Sequence, residues 1–154
     1  MPLPRPTLSL KGRALRLLSG REHSRAELER KLAAHEEEPG QLARVLDDLQ
    51  SKDFINEQRV ADSVVHRRSG KLGALRLRQE LQSKGLDNEK VQDALGRLKS
   101  TELARAREVW ARKFGALSAD AAERGKQARF LAARGFDGDV VRRVLSGSEP
   151  DESL

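Results

Sequence analysis

A spacing of 49 residues constrains this chain more than any other feature. Leu28, Leu32, Leu42, Val45, Leu46 and Leu49 are followed 49 positions later by Leu77, Leu81, Val91, Ala94, Leu95 and Leu98. Every pair is apolar and no gap is needed. Fifty residues beyond most of the second set stand Leu131, Val141, Val144 and Leu145. The turns repeat with them: Lys84-Gly85-Leu86-Asp87 matches Arg134-Gly135-Phe136-Asp137. A fixed period of this length marks a repeat architecture built from small helical units. One such unit with few aromatics is marginal alone, and stacked copies share a core through their interfaces. The copies are not identical. Gln127 takes the place of Leu77, and His35-Glu36-Glu37-Glu38-Pro39-Gly40 replaces the tight turn in the first copy, where an exposed loop is expected.

Each copy reads as three helices. The first helices carry Ala14, Leu15 and Leu18; Val60, Ala61, Val64 and Val65; and Leu103, Ala106, Trp110 and Phe114. These spacings put an apolar stripe on one face. Each stripe ends near a glycine, Gly20, Gly70 or Gly115, which suits the left-handed position after a helix. Ser24 with Glu27 and Asp120 with Glu123 have capping-box spacing at the second helices, while Gly73 opens the middle one less decisively. Asn56, Asp87 and Asp137 can cap further helices. Leu49, Phe54 and Ile55 are expected to glue the first junction, and Trp110 to pack in a core rather than stack on a ligand. Aromatic residues are only 3% of the chain, and prolines other than Pro39 sit at the ends. The expected fold is all-α, with three tandem three-helix repeats forming an elongated, curved, solenoid-like rod. Its parts are a tail over 1–10, repeats over 11–56, 57–100 and 101–147, and an acidic tail over 148–154.

Several function classes drop out. Without cysteine there is no disulfide scaffold, thiolate metal site or cysteine nucleophile. No apolar run approaches the ~20 residues that cross a bilayer, and the N-terminus has no apolar stretch of signal-peptide length; no membrane role and a cytoplasmic location are expected. His23, His35 and His66 form no i, i+4 pair and no acidic cluster completes a metal set. Ser69-Gly70-Lys71 lacks the upstream glycine of a phosphate-binding loop. Asp47 and Asp48 share a helix face with Arg44, as ordinary ion-pair decoration. Neither catalysis nor a cofactor is expected.

What remains is surface charge. The chain carries a net +6 with a sequence pI near 10.1. Residues 11–56 balance 9 Lys/Arg against 9 Asp/Glu, whereas 57–100 and 101–147 each hold 10 against 6. Such an excess favours a polyanionic partner or an acidic protein surface. The candidate contacts are Arg67, Arg68, Lys71, Arg76, Arg78 and Lys84 in the middle repeat, and Arg112, Lys113, Lys126, Arg129 and Arg134 in the third. Arginine's planar fork serves carboxylate and phosphate alike. The helices around Gly85 resemble a helix-turn-helix, but the third begins Asn88-Glu89-Lys90 and carries Asp93, a poor start for entering a groove lined with phosphates. The few aromatics, mostly at apolar positions, do not supply platforms for stacking bases.

A family resemblance runs from about residue 11 to residue 147. Leu49-Gln-Ser-Lys-Asp-Phe-Ile-Asn-Glu-Gln-Arg-Val-Ala61 resembles the junction of the bacterial RecX regulatory proteins. Arg13-Ala-Leu-Arg-Leu-Leu18, Arg21-Glu-His-Ser-Arg-Ala-Glu-Leu28, Arg76-Leu-Arg-Gln-Glu-Leu-Gln-Ser-Lys-Gly85, Trp110-Ala-Arg-Lys-Phe-Gly115 and Lys126-Gln-Ala-Arg-Phe-Leu-Ala-Ala-Arg-Gly-Phe136 fit in order. Asp53 and Val60 depart from the family's usual glycine and larger aromatic. The resemblance implies a non-catalytic regulator that binds the RecA filament along its groove. It implies inhibition of RecA's ATPase, strand-exchange and co-protease activities, and so a role in DNA repair and the SOS response. A monomer touching single- or double-stranded DNA through phosphates is expected. A helical DNA-binding protein acting independently of RecA is the alternative.

Overall fold

The computed structural model describes residues 7–147. The acidic tail 148–154, and residues 1–6 of the N-terminal tail, lie outside the described residues. Among the described residues the chain is helical throughout, with nine α-helices and no strand. They are α1 (Leu10–Gly20), α2 (Arg25–Leu32), α3 (Gln41–Ser51), α4 (Glu57–Arg68), α5 (Ala74–Ser83), α6 (Asn88–Gly96), α7 (Glu102–Lys113), α8 (Ala121–Ala133) and α9 (Gly138–Leu145). Single 3₁₀ turns occupy Ala33–His35 and Lys99–Thr101. The order is three successive triplets of helices, as the 49-residue period predicts.

Two compact units contain these helices: one of residues up to 60 with 84–86, the other of 61–83 with the residues from 87 onward. In the first unit, Leu10, Ala14, Leu28, Leu32, Leu42, Leu46, Leu49 and Ile55 form one buried cluster. Each fully buried leucine stabilises the fold by roughly 1.5–3 kcal/mol relative to an exposed one. Phe54 departs from expectation, because it is 47% exposed while its neighbours Leu49 and Ile55 are buried. The junction turn explains this. Asp53 takes φ +65°, a left-handed conformation that asparagine and aspartate tolerate through local hydrogen bonds. Its carboxylate accepts from Asn56 Nδ2 at 2.9 Å and Arg59 Nη1 at 2.8 Å. That turn directs Ile55 inward and leaves Phe54 outside.

The second unit buries Val64, Leu72, Leu77, Leu81, Val91 and Ala94 from the middle triplet. From the third it buries Ala106, Val109, Leu131, Phe136, Val141 and Val144 as one cluster. Trp110 packs against that cluster, as expected, and donates its indole N–H to Gln127 Oε1 at 2.8 Å. Gln127 in turn donates to the Ala116 carbonyl at 3.4 Å. The glutamine that breaks the leucine period is thus the partner of the only tryptophan.

The caps follow local chemistry. Ser24 and Glu27 complete a reciprocal capping box, and Asn56, Asp87 and Asp137 each accept a first-turn amide. At Asp120 no such box closes. Its carboxylate accepts from the Ala122 amide at 3.0 Å, and its own amide donates to Ser118 Oγ at 3.1 Å rather than to Glu123.

The glycine turns dock on the starts of preceding helices. In the first unit Ser24 Oγ donates to the Lys84 carbonyl at 2.6 Å. A Cβ on Gly85 would come within 2.6 Å of Ala26 Cβ. In the second unit, Gly73, 49 positions after Ser24, donates its amide to the Arg134 carbonyl at 2.8 Å. Leu75 donates to the Gly135 carbonyl at 3.0 Å, and Ala74 to Glu102 Oε1 at 3.1 Å. The amides of Gly73, Ala74 and Leu75, which the helix cannot satisfy internally, are thus met by residues of the third triplet.

Candidate polyanion-binding site

The second unit carries an open cavity of about 320 Å³ lined by Gly70, Lys71, Val109, Arg112, Lys113, Phe130 and Arg134. Four expected contact residues, Lys71, Arg112, Lys113 and Arg134, meet there. They come from three elements: the loop between α4 and α5, the last turns of α7, and the C-terminal end of α8.

Arg105 holds the loop in place. Its guanidinium donates to the carbonyls of Ser69 at 2.8 Å, Leu72 at 2.9 Å and Leu98 at 3.3 Å, and to Thr101 Oγ1 at 3.2 Å. Burial pulls its pKa below the ordinary value, but a guanidinium remains charged. By fixing residues 69 and 72 it presents the exposed Lys71 between them.

Phe130 forms the aromatic part of the site. Phe114 meets it edge-on, with ring centroids 5.3 Å apart and planes at 87°. Lys113 Nζ lies 5.7 Å and Arg134 Cζ 5.1 Å from the Phe130 centroid, within the range of cation–π attraction. Arg112 is 3.9 Å from Glu108, with both side chains about two-thirds exposed, so that pair is worth little. No carboxylate lines the cavity. A cavity lined by four cations and one aromatic ring attracts an anionic group: a phosphate, or a carboxylate-bearing protein surface.

Other expected contacts lie elsewhere and have other work. Lys84 belongs to the first unit, where it is 3.3 Å from Glu27 Oε1 and 17% exposed. Arg76 spends its fork on the Ala133 carbonyl at 3.0 Å. Arg68 pairs with Glu80 at 3.1 Å, and Arg67 Nε bonds the Ser63 carbonyl at 3.3 Å. Arg78 is half-buried, and Lys126 and Arg129 are exposed on α8; none of the three lines the cavity. Sequence reasoning did not single out Phe130, which packs against the core and also lines the cavity. The signal was present, because 50 residues earlier the period places the polar Glu80.

Among the described residues, no group of three or more His, Asp or Glu could hold a metal ion. No described helix is long and apolar enough to cross a membrane.

Comparison with known proteins gives one result. Family models match the first, second and third three-helix domains of RecX over residues 11–49, 56–95 and 100–145. The chain is 57% identical over 141 residues to Regulatory protein RecX of Leptothrix cholodnii, covering 92% of this chain and 90% of that protein. It is 40% identical over 147 residues to Regulatory protein RecX of Neisseria meningitidis serogroup B, covering 96% and 95%. Its fold is similar to the crystal structure of RecX from Lactobacillus salivarius, with TM-score 0.75, 22% identity, and coverage of 90% of this chain and 93% of that one. With three domains in family order and close relatives along nearly its whole length, this chain belongs to the RecX family of regulatory proteins.

Proposed function

We propose that this chain is a non-catalytic regulator that binds the RecA recombinase filament along its groove, with DNA phosphates as secondary contacts. Binding inhibits the filament's ATPase, strand-exchange and co-protease activities, and so modulates DNA repair and the SOS response. The observation that carries this reading is the meeting of Lys71, Arg112, Lys113 and Arg134 around Phe130 on a chain of RecX triplets. Three triplets in tandem, with boundaries near residues 56 and 100, offer several modest contacts rather than one deep pocket. Contacts of that kind add through effective concentration.

The test is DNA-dependent ATP hydrolysis by RecA, titrated with this protein. The rate should fall with added protein, and less steeply with a Lys71→Glu/Arg112→Glu/Lys113→Glu variant. A rate unchanged across the titration refutes the proposal. The cationic ring around Phe130 also favours a second reading, in which the protein binds DNA without RecA. Under that reading, tight DNA binding in the absence of RecA falls steeply with salt.

A further inference from the structure

The first unit contains a second cationic cavity, of about 550 Å³, lined by Leu8, Arg13, Arg16, Leu17, Gly20, Arg21, His23, Lys31, Leu32 and His35. No carboxylate lines it. Many cations of this unit have carboxylate partners instead: Arg21 pairs with Glu27, Arg25 with Glu29 and Asp47, Arg59 with Glu22 and Asp53, and Lys11 and Lys52 with Asp48. Arg13 and Arg16 lie one turn apart on α1 and have no ion pair among the described residues. Lys31, on α2, has only an imidazole for a partner.

That imidazole orders the site. His23 is 2% exposed. Its Nδ1 lies 3.0 Å from the Arg21 carbonyl and its Nε2 3.0 Å from Lys31 Nζ. A carbonyl accepts only, so Nδ1 carries the hydrogen; an ammonium donates only, so Nε2 accepts. The ring is therefore neutral and pins the Lys31 ammonium while leaving two of its hydrogens free. Burial, with the charges of Arg21 and Lys31 against protonation, lowers the His23 pKa and keeps it in this state. The result is a concave pocket with two unpaired guanidinium forks, one positioned ammonium and an apolar floor of Leu17 and Leu32. Its volume falls within the 300–1,000 Å³ typical of small-molecule sites.

We propose that this pocket is a phosphate-binding site, with Arg13, Arg16 and Lys31 as its ligating residues. Paired forks with an ammonium suit a tetrahedral, multiply charged oxyanion. The volume suits a phosphoanhydride or a strand-terminal phosphate rather than a double helix. The site uses none of the residues around Phe130, so it stands or falls independently of the function proposed above.

The test is calorimetric titration of the full-length protein with inorganic pyrophosphate, with ADP, and with oligothymidylate carrying or lacking a 5′-phosphate. Pyrophosphate should saturate one site, and Arg13→Gln/Arg16→Gln and Lys31→Gln should each weaken it by about tenfold or more. Lys99→Gln, an exposed lysine that lines neither cavity, should leave it unchanged. ADP binding without competition from either oligonucleotide assigns a free nucleotide as the source. Competition by the 5′-phosphorylated strand alone assigns a strand end. Absence of saturable pyrophosphate binding, equal binding by the Arg13/Arg16 and Lys31 variants, or preference for a glutamate-rich peptide over pyrophosphate overturns the proposal. Since Lys31 is exposed, its variant should keep the wild-type melting curve. Lys31→Gln, which leaves α1 intact, separates ligand loss from misfolding.

Discussion

Replacing Gly73 by alanine adds one methyl group where the fold has no room for it. A Cβ there would meet the Gly135 carbonyl oxygen at 2.4 Å, its carbon at 2.5 Å and Phe136 Cα at 2.6 Å. These are backbone atoms and cannot swing aside as a flexible side chain would. The turn and the helix must separate, at an overpacking cost of about 1–3 kcal/mol. Separation also lengthens the bonds from Gly73 to Arg134 and from Leu75 to Gly135, worth about 1 kcal/mol each. Against this, alanine narrows the unfolded ensemble by about 0.4–1 kcal/mol. The net expected loss is roughly 2–4 kcal/mol. Gly70→Ala is the control, since nothing lies within 4 Å of its added Cβ; it should be neutral or slightly stabilising. Urea denaturation followed by circular dichroism reads both. A Gly73→Ala protein within ~0.5 kcal/mol of wild type, or one indistinguishable from Gly70→Ala, refutes the close-approach argument.

Glu27 supplies a pH-dependent contribution. Burial alone would raise its carboxyl, but the Arg21 hydrogen bond, the Ser24 amide and the Lys84 charge hold it down at about 2 against an ordinary 4.5. A depressed carboxylate stabilises fully above its unfolded pKa and loses that contribution as pH falls through the folded one. Glu27→Gln should therefore cost about 2–3 kcal/mol at pH 7, and the gap from wild type should close between about pH 4.5 and pH 2, measured by denaturation at stepped pH. Gln127→Leu restores the leucine period but strands the Trp110 indole N–H; a loss of about 1–2 kcal/mol and a changed tryptophan emission are expected. At Asp53, alanine should be worse than glycine by about 1 kcal/mol, because only glycine relieves the positive φ; thermal melts of the two variants decide it. Lys113→Gln/Arg134→Gln should lower the salt dependence of any DNA binding by about two phosphate contacts, measured by fluorescence anisotropy across a salt series.

The triplets were legible because burial follows period. Leu32, Leu81 and Leu131 stand in register and are each buried, and Ser24, Asp87 and Asp137 cap the helices as their side chains allow. The fate of a cation was not legible in the same way. Lys71 and Lys84 look alike in a list of basic residues, yet one faces an open cavity and the other is enclosed beside Glu27. Only the fold decides which carbonyl or carboxylate a long side chain will meet. Arg105 shows this most plainly: its four partners lie on residues 69, 72, 98 and 101, and no periodicity links them. Phe130 was hidden for the opposite reason. An aromatic at a helix position reads as core, and Phe130 does pack against the core; that its ring also meets Lys113 and Arg134 is set by the fold.

The beginning of α5 is completed by chain that comes later, at residues 102, 134 and 135. During synthesis the ribosome releases residues 73–75 long before their acceptors on residues 102, 134 and 135. Until those emerge, α5 has three bare amides at its head and its first turn should fray. The middle triplet therefore matures only once the last one has been made, and a chain stopped short of residue 134 should show its damage upstream of the break, in a segment it still possesses.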